Sequence, residues 1–401
     1  MIETKFKQTE IGLIPEDWEI TKLGKLGFFS KGAGISREEA HTGNLAAIRY
    51  GEIYTSHNDY IREFYSWVSE EVALTSKKLK CGDLLFAASG ETKEEIGKCV
   101  AFISKEDAYA GGDIIILSID TNLHDSRYWG YYLNSAQIVK QKAARGQGDA
   151  VVHIVPRELA TIEVAFPLRQ EQQRIAEALS DTDKLISSLS KTIEKKRLIK
   201  QGAMQQLLTG KKRLPGFDGE WVESELGTIV SIQRGSMLKS SEYQFGSIPV
   251  IAGGITPAGF HNIANRNGRT ITISASGANA GYISYYKEPI FATDCSTISE
   301  GNDYFIDFIY YVLLLKQNDI FRLQTGGAQP HIHPKDIAPL KINLPCLYEE
   351  QVAIANILTT MDNEIESLEE ERDKYIQLKE GMMHKLLTGQ IRLVDTACKK
   401  K

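Results

Sequence analysis

The amino-acid sequence predicts an α+β protein made of two α+β globules joined by two long helices, arranged as a pseudo-twofold internal repeat. Three observations carry this prediction: a 45-residue block written twice, apolar residues at heptad spacing inside it, and β-rich, glycine-punctuated runs between its copies. The chain has 401 residues. At roughly 100–200 residues per domain, that length holds about two to four units, each able to bury a core.

Residues 170–214 align with 349–393 at an offset of 179, with 19 identities in 45 positions. They include Glu171/Glu350, Gln172/Gln351, Asp183/Asp362, Lys200/Lys379 and Arg213/Arg392, and the run Leu207-Leu208-Thr209-Gly210 against Leu386-Leu387-Thr388-Gly389. Chance does not produce that density, so the block is a duplication. Weaker matches extend it. His153-Ile154-Val155-Pro156 answers His331-Ile332-His333-Pro334, and Ala88-Ser89-Gly90 answers Ala275-Ser276-Gly277. Trp18, Leu23, Gly24 and Gly32 open the first long segment as Trp221, Leu226, Gly227 and Gly235 open the second. The chain therefore runs variable (1–166), shared (167–214), variable (215–344), shared (345–401).

Each shared segment reads as one long helix. In the second, Ile354, Met361, Leu368, Tyr375 and Met382 recur every seven residues, with Leu358, Ile365 and Leu386 four positions further on. The first places Ile175, Leu179, Ile186, Leu189, Ile193 and Leu207 in the same register. About 40 helical residues span about 60 Å. A narrow apolar seam on such a rod needs cover, and its own duplicate is the obvious partner, which predicts a two-helix coiled coil acting as a spacer. Arg372 in the place of Ile193, and Lys196 in the place of Tyr375, interrupt the seam. A proline precedes each helix and Thr-Gly ends it. Lys191, Lys195, Lys196, Arg197 and Lys200 on the first copy, against Glu364, Glu366, Glu369, Glu370 and Glu371 on the second, would attract if the helices lie side by side.

The variable segments carry strand-length runs such as Leu84-Leu85-Phe86 and Thr270-Ile271-Thr272-Ile273-Ser274, with one helix expected in each, around 126–144 and 307–323. Their glycine-rich loops hold basic, amide and hydroxyl side chains: Lys31, Arg37, Thr92, Lys93, Arg145 and Gln147 in the first segment, Arg234, Lys239, Asn279 and Gln329 in the second. Side chains of these types read base edges and hold phosphates, although solvated loops share the composition. His153 and His331, at matched positions, are candidates for the same contact or for a loop-holding hydrogen bond.

Charge and motif content narrow the function. With 47 Lys+Arg against 52 Asp+Glu the net charge is −5, which speaks against a chain that coats nucleic acid without selection but is compatible with a local basic surface. Cys81, Cys99, Cys295, Cys346 and Cys398 are scattered, with no zinc or redox spacing. Reduced thiols, no export signal and no apolar run of membrane-spanning length make the cytoplasm the expected compartment. His331 and His333 lack a third ligand at a suggestive spacing, so no metal is expected. The stretch from Gly90 to Cys99 fails as a phosphate loop, with six residues between its glycines and three glutamates within it. No methyltransferase, nuclease or nucleophile-elbow motif appears either, and no catalysis is expected of this chain.

The motif Glu171-Gln172-x-x-Ile175-Ala176-x-x-Leu179-x-x-x-Asp183, leading to Gly202-x-Met204-x-x-Leu207-Leu208-Thr209-Gly210 and given twice around a dissimilar globule, resembles the specificity subunit of type I restriction-modification systems over essentially the whole chain. The resemblance implies that each variable globule is a target-recognition domain reading one half of a bipartite double-stranded DNA site. It implies that the shared helices form an antiparallel coiled coil and dock two copies of a DNA methyltransferase subunit. Restriction subunits, ATP-dependent translocase and nuclease, would join that assembly. S-adenosylmethionine, ATP and Mg would reside on those partners and no cofactor on this chain. A rod of about 60 Å addresses about 17 base pairs at about 3.4 Å each, and unlike globules imply an asymmetric site. The loop residues do not match between the globules, so contacts cannot be transferred by motif. An alternative is a coiled-coil interaction scaffold without DNA selectivity; an enzyme active by itself is the third reading.

Overall fold

Each globule closes on a two-stranded antiparallel ladder between its own entry and exit. Glu19–Lys22 pairs with Glu163–Phe166, and Trp221–Glu225 pairs with Lys341–Pro345. In each case the exit strand therefore hands the chain to a long helix beside the point where the globule began. The computed structural model describes residues 4–327 and 329–394; Cys398 lies outside them. The chain divides into two units, Met1–Ser188 with Arg372–Lys401, and Leu189–Glu371. The cut falls within both long helices. Each unit thus gathers one globule with part of each helix, whereas the four-segment order describes the chain as it is written.

In the first unit a four-stranded antiparallel sheet runs in the order Cys99–Ala101, Leu84–Ala87, Ile114–Ile119, Gly27–Lys31. Its central strands are buried on both faces, which explains why Leu84-Leu85-Phe86-Ala87 is apolar throughout rather than alternating. The period of two still sorts the side chains. Leu84, Phe86, Ile115 and Leu117 face a core shared with Tyr128, Trp129, Tyr131 and Tyr132, while Leu85, Ala87, Ile114 and Ile116 face Ala46, Ile48, Ala108 and Ala110 of a second sheet. In that second sheet Ala108–Ala110 runs parallel to Leu45–Ile48.

The second unit repeats the plan. Its main sheet has the order Ile232–Arg234, Cys295–Ser299, Thr270–Ser274, Ile283–Tyr286, and in its second sheet Ile248–Ile251 pairs in parallel with Phe291–Ala292. Ile271, Ile273 and Ile298 pack against Phe308, Ile309 and Val312.

Each globule has more than the one helix expected, short helices such as Tyr50–Thr55, Glu70–Thr75 and Pro334–Ile337 being added, and the expected helix itself is broken in two. Ser126–Tyr132 is followed by Ala136–Ala143, and Ile306–Leu315 by Gln317–Arg322. The interruption places an amide side chain on the backbone of an edge strand. Asn134 accepts from Cys99 N (3.0 Å) and donates to Cys99 O (2.7 Å). Gln317 accepts from Ile283 N (3.1 Å) and donates to Gly281 O (2.8 Å). Both cover polar backbone that an unbroken helix would leave exposed at the sheet edge.

The long helices are Arg169–Leu207 (39 residues) and Tyr348–Leu387 (40 residues). Both end as the Thr-Gly signal predicts, with Gly210 and Gly389 at φ 70° in the left-handed region, and Lys212 N and Ile391 N reaching back six residues to Gln206 O and Lys385 O. No helix among the described residues is long and apolar enough to cross a membrane.

Candidate nucleic-acid interface and the helix junctions

The repeated side chains do their work where the helices meet the globules. In the first unit Arg392 grips Glu171 with two bonds of 2.8 and 2.7 Å and also holds Asp17. In the second, Arg213 grips Glu350 with two bonds of 2.8 Å. Such paired guanidinium–carboxylate bonds fix direction as well as distance. Arg392 holds the Asp17 carboxyl below its ordinary range. About three turns further along the helix, Lys379 bonds Asp183 (2.8 Å) and Asp59 (3.1 Å), while Lys200 bonds Asp362. Tyr131 and Tyr311 donate to those same aspartates, Asp183 and Asp362, and burial foremost, then the aspartate, drives each phenol above its usual range. Gln172 and Gln351 accept from Asp125 N and Phe305 N, and donate to Pro167 O and Pro345 O. The closing glycines pack on the opening tryptophans: a β-carbon on Gly389 would come within 3.1 Å of the Trp18 ring, and one on Gly210 within 3.1 Å of the Trp221 ring.

These contacts show that the two helical parts in each unit run antiparallel. In the first unit residue 171 meets 392 and 183 meets 379; in the second, 213 meets 350 and 200 meets 362. The charge pattern has the consequence expected of it, since Lys196 pairs with Glu364 (2.6 Å) and Arg197 with Glu369. The fourteen heptad residues divide into three groups. Ile175, Leu179 and Leu386, with partly buried Met382, belong to the first globule's core. Leu207, Ile354 and Leu358, with partly buried Met361, belong to the second globule's core. Between these ends Leu189, Ile193 and Ile365 are buried outside both globule cores, and Ile186, Leu368 and Tyr375 are half-buried.

Arg145 apart, the loop residues singled out in the sequence gather along the edge of each main sheet where its strand ends meet. In the first unit Gly32 N donates to Ile114 O (2.8 Å) and Ala88 N to Asp113 O (2.9 Å); in the second Gly235 N donates to Cys295 O (2.8 Å) and Ala275 N to Asp294 O (3.1 Å). Antiparallel order thus brings Lys31, Ser89 and the loop after Gly90 to one edge, and Arg234, Ser276 and Asn279 to the matching edge. The histidine segments dock onto the same place, Ile154 N on Ala88 O (2.9 Å) and Ile332 N on Ala275 O (3.0 Å). Gln147 and His153 exchange both backbone hydrogen bonds, as do Thr325 and His331.

Lys31, Arg37, Thr92, Lys93, Gln147 and His153 are exposed there, as are Arg234, Lys239 and Gln329 in the second unit; Asn279 and His331 are half-covered. His153 Nδ1 is fixed by Ser89 Oγ (2.9 Å), so its ring has a defined direction. His331 stacks on His333. Arg145 is engaged elsewhere: its guanidinium donates to Gln141 O (2.9 Å) and Thr161 Oγ1 (2.8 Å), securing a helix end.

Sequence reasoning overlooked Tyr131 and Tyr311, although both sit in matched aromatic pairs, Tyr131-Tyr132 and Tyr310-Tyr311. It also overlooked Asp59 and Arg62, which join the Asp183 network of the first unit alone (Arg62 to Asp183, 2.7 Å) and carry no repeat signal. The edges offer cationic, amide and hydroxyl donors, the inventory for phosphate and base-edge contacts. Among the described residues no group of three or more His, Cys, Asp or Glu is placed to hold a metal.

Comparison with known proteins agrees with this layout. The family model for the type I restriction modification DNA specificity domain matches residues 15–197 and again 218–378. The chain is 25% identical over 431 residues to the type I restriction enzyme MjaVIII specificity subunit of Methanocaldococcus jannaschii, covering 98% of this chain and 97% of that one. A second protein of that organism, assigned as the MjaX specificity subunit, is 28% identical over 422 residues, with coverage of 98% and 97%. The crystal structure of a type I restriction-modification system S subunit from M. genitalium superposes with a TM-score of 0.68 at 20% identity, covering 96% of this chain and 99% of that one.

Proposed function

Because this chain belongs to the type I restriction-modification DNA specificity family, we propose that its two sheet edges read the two halves of one discontinuous, asymmetric DNA site. The chain is the DNA-specificity subunit of a restriction-modification complex, with DNA and methyltransferase and restriction subunits as its partners. The observation that carries the division of labour is the contrast between junctions and edges. Glu171, Asp183, Lys379 and Arg392 recur as Glu350, Asp362, Lys200 and Arg213 with the same contacts, whereas the edge loops share a backbone scaffold and hardly a side chain. Equal junctions suit two equal partners, hence two methyltransferase subunits. Unlike edges suit two unlike half-sites. S-adenosylmethionine, ATP and Mg belong to those partners in this reading, and the assembly works in the cytoplasm on the cell's own DNA. The long helices act as an antiparallel coiled-coil spacer.

Exchange of residues 215–344 for the corresponding segment of another specificity subunit tests the reading. Genome-wide methylation mapping in cells carrying the hybrid and its methyltransferase is expected to show one half-site replaced and the other retained. Change in both halves, or methylation indifferent to the exchange, would sink it. For the complete complex, binding is expected to weaken steeply with salt, as phosphate contacts require.

A further inference from the structure

The recognition edge of the second globule carries two apolar tips amid its polar groups. Met237 stands 89% exposed between Arg234 and Lys239, and Ile255 is 53% exposed in the loop after Ile248–Ile251. The two loops are anchored to one short segment, Ala292–Cys295. Ser236 N donates to Ala292 O (2.9 Å) and Gly235 N to Cys295 O (2.8 Å) on one side, and Thr293 N donates to Ile251 O (2.8 Å) on the other. Ser274 Oγ fixes the second loop further by donating to Gly253 O (2.8 Å), and a β-carbon on Gly253 would lie 2.8 Å from Ser276 O. In the first globule the repeat puts Gly34 where Met237 stands, and the adjoining Ile35 is buried.

Solvent-exposed apolar side chains held on short anchored loops gain nothing in water, and Met237 is in addition flanked by the cations Arg234 and Lys239. Against duplex DNA the flanking cations meet phosphate, and the one apolar group that base edges offer is the thymine C5-methyl of the major groove. From this we infer that Met237 and Ile255 are specificity-determining contacts for thymine methyl groups in the half-site read by the second globule. The inference rests on the DNA-reading function proposed above and adds which base feature is read.

The test uses the full chain with its methyltransferase and a duplex carrying the mapped site, each thymine replaced singly by deoxyuridine. Removing a contacted methyl is expected to weaken binding about fourfold, the factor for one buried CH2-sized group. In Met237→Ala or Ile255→Ala, both at exposed positions, binding of the thymine duplex is expected to fall by a similar factor, with no further loss on the deoxyuridine duplex. Equal losses in wild type and both variants, or no loss at any thymine, would overturn the inference. Failure to bind the unmodified duplex would instead refute the DNA-reading function itself, so the two failures are distinguishable.

Discussion

The two helix–globule junctions and the two recognition edges are built on the same repeat, yet the junctions kept their charged side chains while the edges kept little beyond Ser89/Ser276 and His153/His331. A junction must satisfy buried charge: Glu171 and Glu350 are almost fully enclosed and each needs its arginine. An edge faces solvent, and its backbone ladder holds whichever side chains are attached. Duplication followed by divergence is therefore free where nothing is buried, and constrained where a lone carboxylate would remain. Small differences between the junctions offer the sharpest ways to probe this.

The largest effect is expected at the first junction. Arg392→Ala leaves Glu171, 3% exposed, without its guanidinium, and a broken buried pair costs about 3–5 kcal/mol. Arg213→Ala is expected to cost less, because the Arg213 side chain is 29% exposed against 9% for Arg392, leaving water a path to Glu350. Peptide-resolved hydrogen exchange of the full chain would rank the two units, and an equal loss would break the argument. Next come the closing glycines. Alanine at Gly389 or Gly210 carries about 1–2 kcal/mol of left-handed strain. Only at Gly389 would the added carbon also meet Pro15 at 2.3 Å, so Gly389→Ala is expected to be the more damaging in a denaturant titration.

A third contrast is one of pH. Lys142 is buried with its ammonium donating to Gly97 O (2.7 Å), and burial pushes it down from 10.5 to about 8. At the matching glycine of the second unit, Gly281, the neighbours are Ile320 and Phe321. Between pH 8 and 10.5 the unfolded chain holds a proton that the folded first unit has released, so that unit's stability should rise with pH across this window. Lys142→Met should abolish the rise; a slope unchanged by the substitution would count against it. Lys379 is of opposite sign. Burial opposes its charge, but Asp59 and Asp183 prevail and raise it, so its contribution is complete below about pH 10.5 and is lost as pH climbs through the raised value. The smallest effect belongs to the exposed pair Lys196–Glu364, where Lys196→Ala should shift stability by no more than about 0.5 kcal/mol.

Much of this was legible beforehand, for identifiable reasons. The duplicated block predicted two equivalent helices, and Thr209-Gly210 and Thr388-Gly389 marked their ends, because helix termination is local chemistry. The broken helices at Asn134 and Lys316 were not legible. What interrupts them is the sheet edge that the amides of Asn134 and Gln317 reach, a partner distant in sequence. The heptad pattern likewise announced an apolar face, and the sequence assigned all of it to helix pairing, whereas Ile175 and Leu358 belong to globule cores.

The sequence by itself determined the duplication, the helical rods, their opposite charges and, through the repeated motif, the family. Periodicity and identity are properties of the chain and need no partner. The tertiary structure alone decided that Arg392 returns to Glu171, more than two hundred residues away, that Tyr131 and Tyr311 complete the aspartate sites, and that scattered loops meet at one edge of each sheet. Those facts depend on antiparallel strand order and on the burial of charge, both of which exist only once distant segments have packed.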